Sequence, residues 1–263
     1  MSDVIRLEYR GVTMRFTDAA GKSLTAVQDV SLAVCDGEVV SLIGPSGCGK
    51  STLLNIGSGL TAPSEGEAYV SGERVTGPNA HVAFMLQKDL LLPWRSIAEN
   101  VMFGVEIQGV PAVERRKRAH DLLQMLGLSD FANHYPHQLS GGMRQRVALA
   151  RTLAVDPTVL LLDEPFSAVD AQTRMLLQRE LAQTLQRAKK TALLITHDLL
   201  EAVTLSDRVL VMSKRPGQII DEIAIDLPNR ADPIARRSDP KVAGYVGRLM
   251  ERLGIGEPER ASA

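Results

Sequence analysis

Residues 44–52, Gly44-Pro45-Ser46-Gly47-Cys48-Gly49-Lys50-Ser51-Thr52, gather three glycines, a lysine and two adjoining hydroxyls. Glycines let successive backbone N–H groups converge on one anion, and a helix opening near Lys50 adds its positive end. A lysine there reaches the outer phosphates of a nucleoside triphosphate, and the Ser51 hydroxyl is a ligand for Mg2+. The pattern needs a strand before it and a helix after it. Residues 38–44 are a nearly continuous apolar run, and "KSTLLNIGSGL" reads as a helix.

A second group of residues fits the same chemistry. "VLLLDEP" (159–165) sets Asp163 and Glu164 at the C-terminal end of a buried strand, where α/β sheets collect their ligands. Asp163 suits Mg2+ held through water, and Glu164 suits a base that orients and deprotonates an attacking water. Alone, "DEP" is an ordinary strand-end turn; beside a phosphate loop it becomes a metal and water site. Gln87 follows the apolar "VAFML" and His197 follows "TALLIT". A lone glutamine or histidine is usually structural, but strand ends of one sheet bring these two to one crevice. There the Gln87 amide reaches Mg2+ and the water, and His197 reaches the γ-phosphate. "LSGGMRQR" (139–146) is a second serine-and-glycine cradle before a helical run. One nucleotide-binding chain thus carries two cradles.

The elements that must position these residues fall into three stretches. The first third reads as short strands with tight turns, including "DVSLAV" (29–34), where Val30, Leu32 and Val34 share one side. Residues 96–154 read as helices. One starts with Pro111 at its first position, carries Ala119, Leu122, Leu123 and Leu126 at helical spacing, and stops at Gly127. Its "ERRKR" is a solvated face. The last third alternates: strands at 158–165, 191–196 and 207–213, helices at 171–188 and 198–206. This is the rhythm of a parallel sheet with crossover helices. After Arg215 an edge hairpin and a terminal amphipathic helix are expected, then a disordered tail at 257–263.

The composition narrows the classes. The chain has 263 residues, with 30 Lys+Arg against 31 Asp+Glu, a net charge of −1 that argues against nucleic acid as a partner. Cys35 and Cys48 read as free thiols, because a disulfide at Cys48 would distort the glycine loop. No stretch approaches a membrane span and the first ten residues have no signal pattern, so a cytosolic protein is expected.

In this order, the phosphate loop, Gln87, "LSGGMRQR", "LLLDEP", "SAVD" (167–170) and His197 resemble the ATP-binding subunits of ABC transporters, over about 5–213. The resemblance implies an α/β fold: a phosphate-loop NTPase core with a mixed, mostly parallel sheet, an antiparallel β subdomain and an inserted helical subdomain at about 96–154. It implies an ATP-binding domain at 1–215 and a C-terminal extension at 216–263. It implies ATP hydrolysis with Mg2+ bound by Ser51, Gln87 and Asp163, and Lys50, Glu164 and His197 as catalytic residues. Residues 44–52 and Gln87 face the nucleotide, with Phe16 matching the aromatic that stacks on adenine; a core phenylalanine is the alternative. The resemblance also answers the puzzle of two cradles. Two subunits pair head to tail, and Ser140, Gly141, Gly142 and Gln145 of one cover the ATP on the other's phosphate loop, with Asp170 near the two-fold axis.

The implied partners are a second copy of the chain, membrane permease subunits and an extracytoplasmic solute-binding protein, with no nucleic acid. The implied place is the cytoplasmic face of the cell inner membrane. "LLPWRS" (91–96) and "KRPGQI" (214–219) resemble the importer subgroup for nitrate, sulfonates such as taurine, and thiamine-precursor pyrimidines. Trp94 either supports the surface facing the permease or is buried. "SAVD" stands where "SALD" is commoner, and "MLQKD" replaces the commoner "VFQ". The alternative, a nucleic-acid- or ribosome-associated ATPase of the same superfamily, usually carries two such domains or a long inserted coiled coil, and this chain has neither.

Overall fold

The computed structural model describes residues 4–17 and 21–255. In the first third, β1 (Ile5–Thr17) and β2 (Ser23–Cys35) pair antiparallel, and Val30, Leu32 and Val34 of β2 are all buried, as their alternation requires. The apolar run that follows is β3 (Val39–Ile43), buried along its whole length. The glycine loop leads from β3 into α1 (Lys50–Gly57). Then β4 (Glu65–Val70) pairs with β1 and with the short β5 (Glu73–Arg74), completing a four-stranded antiparallel sheet in the order β2-β1-β4-β5.

After β6 (Val82–Met85) come the three long helices of the middle stretch: α2 (Ile97–Ile107), α3 (Ala112–Met125) and α4 (Gly141–Ala154). Ser96 opens α2 with a capping box, its hydroxyl accepting from the Glu99 N–H while the Glu99 carboxylate accepts from the Ser96 N–H. Pro111, expected at the first helical position, stands one place outside α3. Its ψ of 143° is extended, so the proline is the cap and the helix starts at Ala112. Ala119, Leu123 and Leu126 are buried, and the "ERRKR" face is largely exposed, with Arg118 paired to Glu114 one turn earlier.

The last third is β7 (Val159–Asp163), α5 (Ala171–Arg187), β8 (Thr191–Ile195), α6 (Leu199–Leu205), β9 (Arg208–Met212), β10 (Ile219–Ala224), α7 (Pro233–Arg237) and α8 (Lys241–Arg252). The second sheet runs β10-β9-β3-β8-β7-β6, parallel except for β10, which returns antiparallel on the edge of β9. Alternate residues of its central strands feed two cores. Leu160, Leu162, Ala192 and Leu194 face the core shared with α2–α5, while Val159, Leu161, Leu193 and Ile195 face the core under the antiparallel sheet and α1. Both faces are covered, which is why these strands read as unbroken apolar runs. A third core joins β9, β10, α6 and α8. The expected boundary at 215/216 therefore falls inside the β9–β10 hairpin. The tail at 257–263 lies outside the described residues. Neither cysteine forms a disulfide, and the Cys48 thiol is buried. Among the described residues no helix is long and apolar enough to cross a membrane.

Candidate active site

The phosphate loop leaves the end of β3 between its two parallel neighbours, β8 and β9. Gly49, at φ 104°, immediately precedes α1, and a Cβ there would lie 2.3 Å from Val27 Cγ1, so only glycine fits. Lys50 Nζ donates to the carbonyls of Gly44 at 2.7 Å and Pro45 at 3.0 Å. Cys48 is buried, with its Sγ 3.8 Å from Lys50 Nζ.

An open cavity of about 370 Å³ lies against this loop. Ser46, Gly47, Gly49, Lys50, Ser51 and Thr52 form one wall. Gln87, Asp163 and Glu164 also line it, as do the apolar Phe16, Leu24 and Ala26, of which Phe16 remains 46% exposed. Asp163 is buried at the end of β7. Burial pushes its carboxyl pKa up and the neighbouring Glu164 adds to this, while a hydrogen bond from Ser51 and the charge of Lys50 oppose it.

Glu164 has φ 49°, a left-handed conformation that costs a non-glycine residue about 1–2 kcal/mol. Its backbone is tied down on both sides. Its N–H donates to the Ile195 carbonyl at 3.0 Å, and its carbonyl accepts from Gln145 Nε2 at 2.8 Å and Ser167 Oγ at 3.1 Å. The carboxylate is flanked at one oxygen: Gln87 Nε2 donates to Oε2 at 3.2 Å, and His197 Nδ1 lies 3.5 Å from the same atom. Oε1 has no hydrogen-bond partner among the described residues.

Three expected residues sit differently from a simple ring around one ligand. His197 is exposed and borders a small cleft behind Glu164 rather than the main cavity. Gln145 is turned inward. It is 4% exposed, and its amide is committed to the tight turn after β7: Nε2 donates to Glu164 O and Ser167 Oγ, and Oε1 accepts from the Ala168 N–H. Asp170 caps α5, accepting from the Thr173 N–H at 3.0 Å, a bond that holds its carboxyl below the usual range.

Ser140 caps α4 in the same way, accepting from the Met143 N–H, with Gly141 and Gly142 in the first turn. Gly141 borders a second cavity of about 470 Å³ with Gln87, Arg144 and Ala168. The two cradles therefore open on different cavities, with Gln87 between them. Trp94 is 71% exposed, which removes the buried alternative. Sequence reasoning did not single out Arg215, which also borders the main cavity. Only its place in "KRPGQI" pointed at it.

A parallel sheet whose first loop wraps an anion pocket, with Asp163 and Glu164 lining the same cavity, defines a phosphate-loop nucleoside triphosphatase. The family model described as ABC transporter matches residues 27–167, and this chain belongs to that family as an ATP-binding subunit with ATPase activity. It is 46% identical over 87% of its length to an uncharacterized ABC transporter ATP-binding protein of Methanocaldococcus jannaschii, covering 85% of that protein. It is 46% identical over 82% of its length to the taurine import ATP-binding protein TauB of Roseobacter denitrificans, covering 81% of it. A dimeric ATP-binding cassette, MJ0796, solved in a post-hydrolysis state with ADP and Pi, superposes with a TM-score of 0.77 at 33% identity, covering 83% of this chain and 98% of that one.

Proposed function

We propose that this chain is the ATP-hydrolysing subunit of an ABC importer for a small anionic or zwitterionic solute of the taurine type. In this reading two copies pair head to tail around two ATP molecules and drive a membrane permease fed by an extracytoplasmic solute-binding protein. It works peripherally on the cytoplasmic face of the inner membrane. The observation that carries the reading is the single cavity shared by the phosphate loop, Gln87, Asp163 and Glu164. Two cradles opening on different cavities support the head-to-tail pairing, since neither can close over the other's ligand within one chain.

In this reading ATP lies with its base on Phe16, Leu24 and Ala26 and its phosphates along 46–52. Lys50 exchanges the carbonyls of Gly44 and Pro45 for phosphate oxygens. Ser51, Gln87 and Asp163 offer hard oxygen donors, which fit Mg2+. The described residues hold no group of three or more His, Cys, Asp and Glu able to bind a metal, and Mg2+ needs none, since it keeps waters and phosphate oxygens as ligands. Bound Mg2+ would offset charge on the phosphates. Glu164 orients the attacking water and takes its proton at Oε1, with Gln87 and His197 fixing the carboxylate through Oε2. Ser140, Gly141 and Gly142 of a second copy hold the γ-phosphate, so its departure loosens the pair.

In the test, Glu164→Gln lowers kcat about 10²- to 10⁴-fold while ATP still binds. With turnover blocked, ATP shifts the 28.5 kDa chain to twice that mass by light scattering. Unchanged turnover removes Glu164 as the base, and an ATP-loaded monomer removes the sandwich. Recovery of ribosomal proteins or DNA instead of a multi-span permease on a tagged subunit overturns the transport role.

A further inference from the structure

The loop between β9 and β10 lies on the phosphate loop, and its shape is fixed independently of any ligand. The Ser213 N–H donates to Gln218 O at 2.9 Å, and the Gln218 N–H donates back to Ser213 Oγ at 3.0 Å. Gly217 continues the pairing onto β2: its N–H donates to Ala26 O at 2.9 Å, and its carbonyl accepts from the Gln28 N–H at 3.0 Å. A Cβ on Gly217 would lie 2.0 Å from Cys48 O, so its bare backbone is what allows this loop to seat against the phosphate loop. From this anchored position Arg215 donates twice to one atom, the Gly47 carbonyl oxygen, from Nε at 2.9 Å and from Nη2 at 2.6 Å.

These contacts sort the polarity of the phosphate loop. Its anion-binding power depends on N–H groups facing the ligand and carbonyls facing away, because a carbonyl turned toward a triphosphate repels it. The carbonyls of Gly44 and Pro45 are held by Lys50, the Cys48 carbonyl lies against Gly217, and the Gly47 carbonyl is held by Arg215. When Lys50 turns to phosphate, Arg215 is the cation still bonded to a loop carbonyl. A guanidinium suits this task because its planar fork places two donors on one acceptor. Gly47, at φ 75°, is a glycine in the left-handed region with no side chain of its own to hold its peptide, so an external tie can set its orientation.

We infer that Arg215 is a positioning residue for nucleotide binding: it holds the Gly47 peptide in its anion-receiving orientation, making the β9–β10 hairpin part of the ATP site. This rests on the reading of the main cavity as that site. Because the loop contacts phosphates shared by ADP and ATP, the effect of Arg215 is equal for both.

The test uses the full chain and two probes, ADP and the non-hydrolysable analogue AMP-PNP, titrated calorimetrically. Arg215→Ala raises both dissociation constants about tenfold and by the same factor, as expected for losing a charge-assisted hydrogen bond that shapes the site. Arg215→Lys recovers part of the loss, having one point donor in place of a fork. A second readout needs no nucleotide. In a Cys35→Ser background, the buried Cys48 thiol reacts with a disulfide reagent about tenfold faster once Arg215 is removed, because the loop opens more often. A loss confined to AMP-PNP means a direct γ-phosphate contact and overturns the inference. Unchanged affinities, or an unchanged Cys48 rate, overturn it as well. If the parent chain binds neither nucleotide, the ATP-site reading fails first; if it binds both and Arg215→Ala binds as well, only the inference about Arg215 fails.

Discussion

Glu201, on α6, is 3% exposed and lines the small cleft it shares with Glu164 and His197 at the ends of β7 and β8. Burial pushes its carboxyl up to about 7 and the charge of Asp198 adds to this, against hydrogen bonds from Thr196 and Gln178 and the charge of Arg174. The unfolded chain releases this proton near 4.5, while the native carboxyl keeps it until about 7. The favourable contribution is therefore complete below the unfolded value, declines as pH rises between the two, and is gone above about 7. Replacing Glu201 with glutamine removes that slope. Between pH 5 and pH 8, urea midpoints should show the parent losing as much as about 3 kcal/mol more stability than Glu201→Gln. Parallel pH profiles would show that Glu201 ionises normally. The same residue scale explains Glu164. Its carboxylate was legible from "DEP", but its left-handed backbone and the inward brace of Gln145 were not, because both arise from how the turn after β7 meets β8 and α4.

Single buried side chains also shape whole elements. Asn100 is fully buried on α2 and organises the segment before it. Its Nδ2 donates to Leu92 O, Arg95 O and Ser96 O at 3.1, 3.1 and 2.9 Å, and its Oδ1 accepts from the Leu92 N–H at 2.8 Å. That segment presents the exposed Trp94, the only tryptophan of the chain. Asn100→Ala leaves the Leu92 N–H and the Arg95 carbonyl without a hydrogen-bond partner and should cost about 2–3 kcal/mol. It should also lower the fluorescence anisotropy of Trp94. Lost stability with unchanged anisotropy would confine Asn100 to a packing role. Helix limits follow the same logic of local groups. Apolar spacing located α3, but only the extended ψ of Pro111 decided where it begins.

At the scale of the molecule, residues 216–255 are packed onto the rest of the fold. Arg236, 3% exposed on α7, donates to the carbonyls of Pro228, Thr204, Ser206 and Leu227. Arg237 beside it donates to Gln178 Oε1 at 3.0 Å, and Gln178 Nε2 donates to Glu201 Oε2 at 2.8 Å. This line of contacts joins α7 through α5 to the helix that follows His197. Arg236→Ala strands four carbonyls and should cost about 3 kcal/mol, seen as a lower urea midpoint. Amide exchange should rise across 227–253. Exchange confined to α7 itself would mean that α8 holds its place through its own apolar contacts with α6.

By itself the sequence determined the chemistry and the order of its parts. The phosphate loop and the carboxylate pair are legible from residue type at fixed spacing, Gln87 and His197 only from their order at strand ends, and the strands of the second sheet from unbroken apolar runs that a doubly covered sheet explains. Tertiary structure alone decided what sequence distance hides. Arg215 and Gly47 are separated by 168 residues, and no local pattern announces their contact. Nor could periodicity show that the two cradles open on separate cavities, that Gln145 braces Glu164, or that Trp94 is exposed. Spacing along a chain records the faces of strands and helices, whereas these outcomes depend on which loops meet when the two sheets and their helices pack.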